Sequence, residues 1–576
     1  MTHYETHDVD VLVIGAGGAG LRAAVEASRL GVKTGLVCKS LLGKAHTVMA
    51  EGGVAAALGY VDAGDGWEVH FRDTILGGKW MNNWKMALNH AKESPERVRE
   101  LERWGAVFDR TPQGKISQRA FGGHTFKRLA HIGDRTGLEM IRTLQDQGVH
   151  QGIDVFMECT VTHLLKRDGR VVGAFAYRRE NGRFLVFRAK ATVIATGGIG
   201  KMYKITSNSW EYTADGHALA LDAGADLIDM EFVQFHPTGM VWPPGVRGLL
   251  VTEAVRGEGG MLRNAKNERF MERYDKERME LSTRDLVSKA IYTEVKEGRG
   301  TEHGGVWLDI THREAEYIKK KLPSMYHQFK DLADVDITKA PMEVGPTMHY
   351  VMGGVKVDPD SAASTVPGLF AAGEVGGGMH GANRLGGNSL SDLLVFGQRA
   401  GAGATKYAQE IRAHATIDTA QVETAERALV APFQSSGNET PYQVQFDLQD
   451  MMQGDVGIMR TAQDLQRAIG RFPSLAERAR KVRVEGSRVY NPGWHLSWDL
   501  HNMLLVAEAV ARSALQREES RGAHTRLDFP KTDSEKWEKL TSVVRREADG
   551  TLTVKTEKKP VMPAEYRALV ERVIKK

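Results

Sequence analysis

Apolar positions along the chain gather into a few continuous runs, and the first of them organises the rest. Val9 to Ile14 is apolar apart from Asp10 and ends against glycine, a pattern that predicts a strand buried on both faces. It runs into Gly15-Ala16-Gly17-Gly18-Ala19-Gly20, after which the Ala-rich stretch Leu21 to Leu30 predicts a helix. Gly31 closes that helix, and Val32 to Val37 predicts the next strand. Strand, tight turn, helix and strand together form a βαβ unit of the dinucleotide-binding kind. Two more apolar strands are predicted, Ala191 to Ala195 ending in Thr196-Gly197-Gly198, and Gly368 to Ala372 ending in Gly373-Glu374.

Between these strands the pattern changes. Met240 to about Thr347 is richer in charge and carries its own turn signals, Pro243-Pro244 and Gly304-Gly305, and so predicts an inserted domain. After about Ala400 the spacing becomes helical, with amphipathic stretches at Thr424 to Ala431 and Leu500 to Ala514. From Thr532 the chain is polar and short-stranded, which predicts a peripheral tail domain. The expected division is 1–239 and 348–410 for the dinucleotide-binding domain, 240–347 for the insertion, 411–531 for a helical domain and 532–576 for the tail.

Composition narrows the class. A chain of 576 residues exceeds one core, at roughly 150 residues per domain. No apolar run approaches the roughly 20 residues of a membrane span, so membrane attachment is expected only through a partner. A first strand beginning by Val9 leaves no room for a signal peptide; the expected compartment is the cytoplasm, or an organelle matrix after loss of a transit segment. Cys38 and Cys159 are the only cysteines, too few for an iron–sulfur cluster or a Cys-rich metal site, so no metal is expected and electrons leaving the chain need an external acceptor. A net charge of +4 is too dilute to suggest nucleic acid, though it suits anionic substrates.

In the glycine turn, Gly15 permits the sharp bend, Gly17 lets the backbone approach a pyrophosphate and Gly20 allows the helix to pack on the strand. The helix N-terminus then faces the anion. The second strand ends Val37-Cys38-Lys39-Ser40, without the acid that often binds a ribose. This disfavours a nicotinamide dinucleotide and leaves FAD. The segment Lys44 to Gly53 follows, and its glycines suggest backbone packed on a flat ligand.

Several strings carry a family resemblance: HTVMAEGG from His46, HPTG from His236, TEAVRGEGG from Thr252 and HGANRLGGNSL from His380. From about Val9 to the SRGAHTRLDFP string ending at Pro530, the chain resembles the flavoprotein subunits of succinate:quinone and quinol:fumarate oxidoreductases. The resemblance implies an α/β fold, a Rossmann-like FAD-binding domain with an inserted α+β capping domain, followed by a helical domain and a small C-terminal domain. It implies succinate–fumarate interconversion by hydride transfer to or from FAD bonded covalently to His46 through the flavin 8α-methyl. It also implies an iron–sulfur subunit, cytochrome b-type membrane anchors and a place on the cytoplasmic face of a bacterial inner membrane. A soluble oxidase of the L-aspartate oxidase type, which lacks the linking histidine, is the alternative.

The resemblance assigns roles residue by residue. Arg284 is the proton donor and acceptor, with Glu253 and Arg256 relaying protons to solvent. His236, Thr252, His349 and Arg384 clamp the dicarboxylate, and Phe121 packs against it. The flavin is held by Gly15, Ala16, Gly17, Gly18, Ala19, Gly20, Lys39, Ser40, Thr47, Glu51, Gly52, Gly53, Asp215, Glu374, Ser389 and Leu390. A helix beginning near Ser389 aims its positive end at the flavin. Position 51 is Glu, as in several fumarate reductases, where succinate-oxidising members often have Gln; this leans towards fumarate reduction without setting the direction.

Overall fold

The computed structural model describes residues 4–572. Its central sheet has seven strands. Five run parallel, in the order Asp154–Phe156, Thr34–Val37, Tyr4–Ile14, Phe184–Ile194 and Leu369–Ala371. The strand Phe184–Ile194 is shared lengthwise: its second half pairs with Leu369–Ala371, while its first half carries the antiparallel hairpin Cys159–Arg167 and Arg170–Arg178. Ile14 lies opposite both Val37 and Ile194, and Ile194 opposite Ala371. Four strands therefore end in register, and the residues that follow them open onto one crevice, the usual ligand position of an open α/β sheet.

The apolar run of the first strand has a direct cause. Leu12 and Ile14 enter one core, shared with the helical domain, whereas Val11 and Val13 enter another beneath the helices Gly18–Arg29 and Asn388–Glu410. Both faces are buried, so there is no polar alternation. This is a Rossmann-like, dinucleotide-binding architecture carrying a cap, a helical domain and a C-terminal segment.

The cap is built on a four-stranded antiparallel sheet, ordered Val233–Met240, Met342–Val351, Val306–Asp309 and Met261–Arg263, with its own core around Leu262, Ile291 and Phe329. The first two strands carry the chain into and out of the cap, and residues 240 and 347 fall within them. They pair with His236 opposite Thr347 and Phe235 opposite Met348, which brings His236 and His349 together. The helix Arg284–Glu294 packs over them, with Ser288 Oγ donating to Phe235 O at 2.7 Å.

Four helices, Thr419–Gln434, Pro441–Asp455, Ala462–Arg480 and Pro492–Gln516, form the helical domain, and Trp494 anchors it against Tyr177 of the hairpin at 4.4 Å between rings. The tail is less peripheral than its polarity suggests. Strand Leu540–Arg546 pairs with Leu227–Ile228 of the flavin domain, and the helix Ala564–Glu571 sets Val570 among Phe71, Ile75 and Leu88. Several of its apolar residues, among them Val543, Val544 and Val570, are buried in these contacts, which a polar average conceals. Among the described residues no helix is long and apolar enough to cross a membrane.

Candidate active site

The crevice at the strand ends continues under the cap as one cavity of about 1700 Å³ including its mouth. Gly15 has φ +109, and a Cβ on Gly20 would sit 1.7 Å from Gly15 O, so the turn and the helix start tolerate no side chain at either point. Gly20 therefore packs inside the motif and does not line the cavity. Gly17 differs: the nearest protein atom to a Cβ there is Thr47 Oγ1 at 3.4 Å, leaving space beside the backbone on the cavity side. Gly18 N donates to Thr47 Oγ1 at 3.2 Å and binds the HTVMAEGG segment to the turn. Ala16, Gly18, Ala19, Lys39, Ser40, Thr47, Glu51, Gly52 and Gly53 all reach the cavity. A long cavity closed at one end by a glycine turn and a helix N-terminus fits a dinucleotide such as FAD.

Lys39 is held in a way its sequence position does not suggest. Its Nζ donates to Asp215 at 3.0 Å, Asp499 at 2.7 Å and Thr213 Oγ1 at 2.7 Å. Asp215 also accepts from Asn502 Nδ2 at 2.9 Å. Lys39 and Asp215 thus form a buried ion network under the nucleotide half of the cavity, with a third member from the helical domain. Asp499, in an otherwise core-facing helix, carries no local signal of this role.

His46 opens a short 3₁₀ turn, His46–Met49, and lines the same cavity. The Ser209 amide donates to its Nδ1 at 3.3 Å, which leaves Nε2 as the free nitrogen. The Tyr212 ring lies 4.7 Å away. Burial pushes the His46 imidazole down to about 4, so the ring is neutral at physiological pH. Tyr212 and Glu374 both line the cavity; Glu374 accepts from Val351 N at 3.1 Å and is pushed up to about 8 by burial. Tyr212 went unrecognised in the sequence, although it stands three residues before Asp215.

At the other end of the cavity three arginines converge. Arg284, the first residue of its helix, donates from Nε to Glu253 Oε2 at 2.9 Å. Arg256 Nη2 stands 3.7 Å from the same oxygen, and Arg256 sits behind Glu253, outside the cavity lining. The Gly122 amide of the flavin domain donates to Glu253 Oε1 at 2.9 Å. Burial opposes ionisation of Glu253, but Arg284 and Arg256 outweigh it and hold its carboxyl below the usual range. Arg384 donates from Nη1 to Ser389 Oγ at 2.8 Å and stacks over Tyr350 at 4.4 Å. Burial, with Arg284 adding, pushes Arg384 down to about 9.

Buried Arg284 Nη1 and Arg384 Nε have no partner among the described residues, an expensive state that an anion between them would relieve. Glu51 and Glu374 are neutral near pH 7, both pushed up to about 8. Arg284 and Arg384 line the cavity beside one ionised carboxylate, Glu253, which Arg256 backs, so the site presents positive charge suited to a dicarboxylate.

The remaining predicted residues surround this point. His236 Nδ1 is engaged by the Thr238 backbone at 3.0 Å and His349 Nδ1 by Ser207 Oγ at 2.8 Å, so each presents Nε2 to the cavity. Their rings are 5.3 Å apart, and burial holds both neutral. Thr252 lines the cavity together with Glu51. Phe121 packs against Gly52 and Gly386. The long helix Asn388–Glu410 starts at the cavity after Gly387 in a left-handed conformation, φ +82, and brings Ser389 and Leu390 to the lining.

Comparison with known proteins gives one consistent picture. Residues 10–390 match the family model of the FAD binding domain, and residues 445–573 that of the fumarate reductase flavoprotein C-terminus. A CoM/CoB fumarate reductase polypeptide of Methanothermobacter marburgensis is 47% identical over 94% of this chain and 98% of its own. The solved structure of Mycobacterium smegmatis Sdh1 with UQ1 is 55% identical, with a TM-score of 0.90 over 98% of this chain and 97% of its own. An E. coli quinol:fumarate reductase structure superimposes with a TM-score of 0.93 at 35% identity, over 99% of this chain and 100% of its own.

Proposed function

The chain belongs to the family of succinate dehydrogenase and fumarate reductase flavoproteins, and on that premise we propose that it interconverts succinate and fumarate with FAD bonded covalently to His46. The observation that carries this reading is the pair of buried donors without a partner among the described residues, Arg284 Nη1 and Arg384 Nε, in the cavity that also holds His46 and the glycine turn. FAD, when bound, supplies the acceptor or donor of a hydride.

The side chains divide the remaining work. Arg384 and His349 take one carboxylate and His236 and Thr252 the other, so that two charge-assisted contacts orient the carbon chain. Phe121 fills the apolar side of the site and excludes water. Arg284 holds the transferable proton at Nη1, while its Nε stays bound to Glu253. A guanidinium is a poor acid on its own. Here Arg256 and Arg384 crowd it with positive charge, and Glu253 receives and passes on the proton towards Arg256. Because Gly122 belongs to the flavin domain and Glu253 to the cap, their hydrogen bond ties the relay carboxylate to the flavin domain across the cap interface.

Electrons pass between this chain and an iron–sulfur subunit, and thence a membrane quinone through cytochrome b-type anchors. The methanogen relative named for CoM and CoB supports a second partner class, a thiol pair acting through an equivalent cluster-bearing subunit. Succinate-dependent dye reduction by the purified chain, followed by denaturation in acid and in-gel flavin fluorescence, tests activity and linkage together. Free flavin after denaturation points to the soluble oxidase type. Quinone or thiol-disulfide added to the purified complex separates the two partner classes.

A further inference from the structure

A second cavity, about 890 Å³ with its open mouth, shares no lining residue with the active site. It lies where three parts of the chain meet. The cap helix Arg284–Glu294 supplies Asp285 and Lys289, the turn after the helix Trp67–Gly77 supplies Lys79, and the stretch 520–532, at the junction of the helical domain and the tail, supplies Ser520, Arg521 and Thr532.

Its walls are held from several directions. Lys79 and Trp80 both adopt left-handed backbone, φ 57 and 64, and their carbonyls are taken by Arg521 Nη1 at 3.0 Å and by Lys559 Nζ. Arg521 is in turn gripped by Glu519 through Nε at 2.8 Å and Nη2 at 3.1 Å, which neutralises it. Lys289 Nζ donates to Gly522 O at 2.9 Å and has two further donors to give. Lys79, Asp285 and Lys289 line the same cavity, and burial depresses the Lys289 ammonium, with Asp285 opposing the effect and Lys79 adding to it. Asp285 Oδ1 is buried without a partner among the described residues.

Two ammonium groups and one lone carboxylate acceptor describe a specific complement. A fully deprotonated oxyanion satisfies the lysines but meets Asp285 with only lone pairs. A small oxyanion that keeps an O–H satisfies all three, its charge facing Lys79 and Lys289 and its hydroxyl donating to Asp285. The geometry points to a binding site for a hydroxyl-bearing oxyanion, hydrogen phosphate or a hydroxycarboxylate, between the cap and the body of the molecule. Lys289 travels with the cap and Lys79 with the flavin domain, so the ligand ties the two together on the helix that begins with Arg284.

Calorimetric titration of the holoprotein, with the dicarboxylate site filled by saturating malonate, tests this with phosphate, citrate and sulfate as probes. Phosphate or citrate is expected to bind at one site at least about tenfold more tightly than sulfate, a difference of about 1.4 kcal/mol. Phosphate alone identifies the inorganic ion as the ligand, and citrate alone a hydroxycarboxylate. Lys289→Gln and Lys79→Gln should each weaken binding about tenfold or more, and Asp285→Asn should erase the preference over sulfate. Absence of binding by both probes, sulfate binding equal to both, or affinity unchanged in both lysine variants overturns the proposal. Melting temperature and bound flavin report whether the variants fold; where they do not, the preference of the unaltered protein over sulfate decides alone.

Discussion

Arg284 donates from Nε to Glu253 Oε2 at 2.9 Å while Nη1 of the same guanidinium is buried with no partner among the described residues. One end is fixed by an ionised carboxylate and the other is left for substrate. Arg284→Ala should reduce succinate-dependent dye reduction by about 10³-fold or more, in the range expected for loss of a general acid, while flavin stays with the polypeptide on a denaturing gel. Near-normal turnover in this variant would refute the assigned role.

His46 offers Nε2 to the cavity because Ser209 occupies Nδ1. His46→Ser should retain FAD in the native protein and release it on acid denaturation, with in-gel fluorescence lost. A histidyl substituent makes the flavin more oxidising, so succinate oxidation should fall further than fumarate reduction in the same variant. Equal loss in both directions would count against a tuning role for the link.

The charge at the clamp sets a pH dependence. Below pH 8 Glu51 is neutral and Arg384 charged. As pH rises, Glu51 ionises near 8 and Arg384 discharges near 9, and each step removes positive charge from a site that binds a dianion. The ratio kcat/KM should therefore fall above about pH 8 and fall more steeply beyond 9, through KM more than kcat. Glu51→Gln should shrink the lower step to the share contributed by Glu374, which also ionises near 8, and keep the upper one.

Two glycines of one motif should fail differently. A Cβ on Gly20 meets Gly15 O at 1.7 Å, so Gly20→Ala should destabilise even the flavin-free protein by about 1–3 kcal/mol or more, as overpacking does. A Cβ on Gly17 meets nothing in the protein nearer than 3.4 Å. Gly17→Ala should leave the melting temperature of the flavin-free protein nearly unchanged and impair FAD retention. Equal destabilisation of the two flavin-free variants would remove Gly17 from the ligand-facing role.

The buried ion network beneath the nucleotide half should show in stability. Asp499→Ala leaves Lys39 with Asp215 and Thr213, and losing one charged hydrogen bond from this buried cluster should cost about 1.5–3 kcal/mol. Chemical denaturation should read this loss, with the dicarboxylate end of the cavity unaffected in KM.

What could be read from the chain followed the range of the forces involved. The βαβ unit was legible because its strand, turn and helix are contiguous, and because a strand whose Leu12 and Val13 enter different cores must be apolar throughout. Arg284 and Glu253 were legible only as members of strings, since 31 residues separate them and nothing local says that they touch. Tyr212 was missed because an aromatic near a glycine turn looks like any core residue. The C-terminal strand was underestimated because its partner, Leu227–Ile228, lies more than three hundred residues earlier.

By itself, then, the sequence determined the dinucleotide turn, the inserted domain, the helical domain and the kinds of side chain available for redox chemistry on a dicarboxylate. Local propensity, hydrophobic period and glycine placement suffice for these. Only the tertiary structure decided that Lys39 turns to Asp215 and Asp499, that Glu253 is completed by an amide from across the cap, and that Arg284 and Arg384 are left with donors to give. Charge pairing and desolvation depend on distances through space, and those are set where strands end in register and the cap closes, which no neighbouring residue encodes.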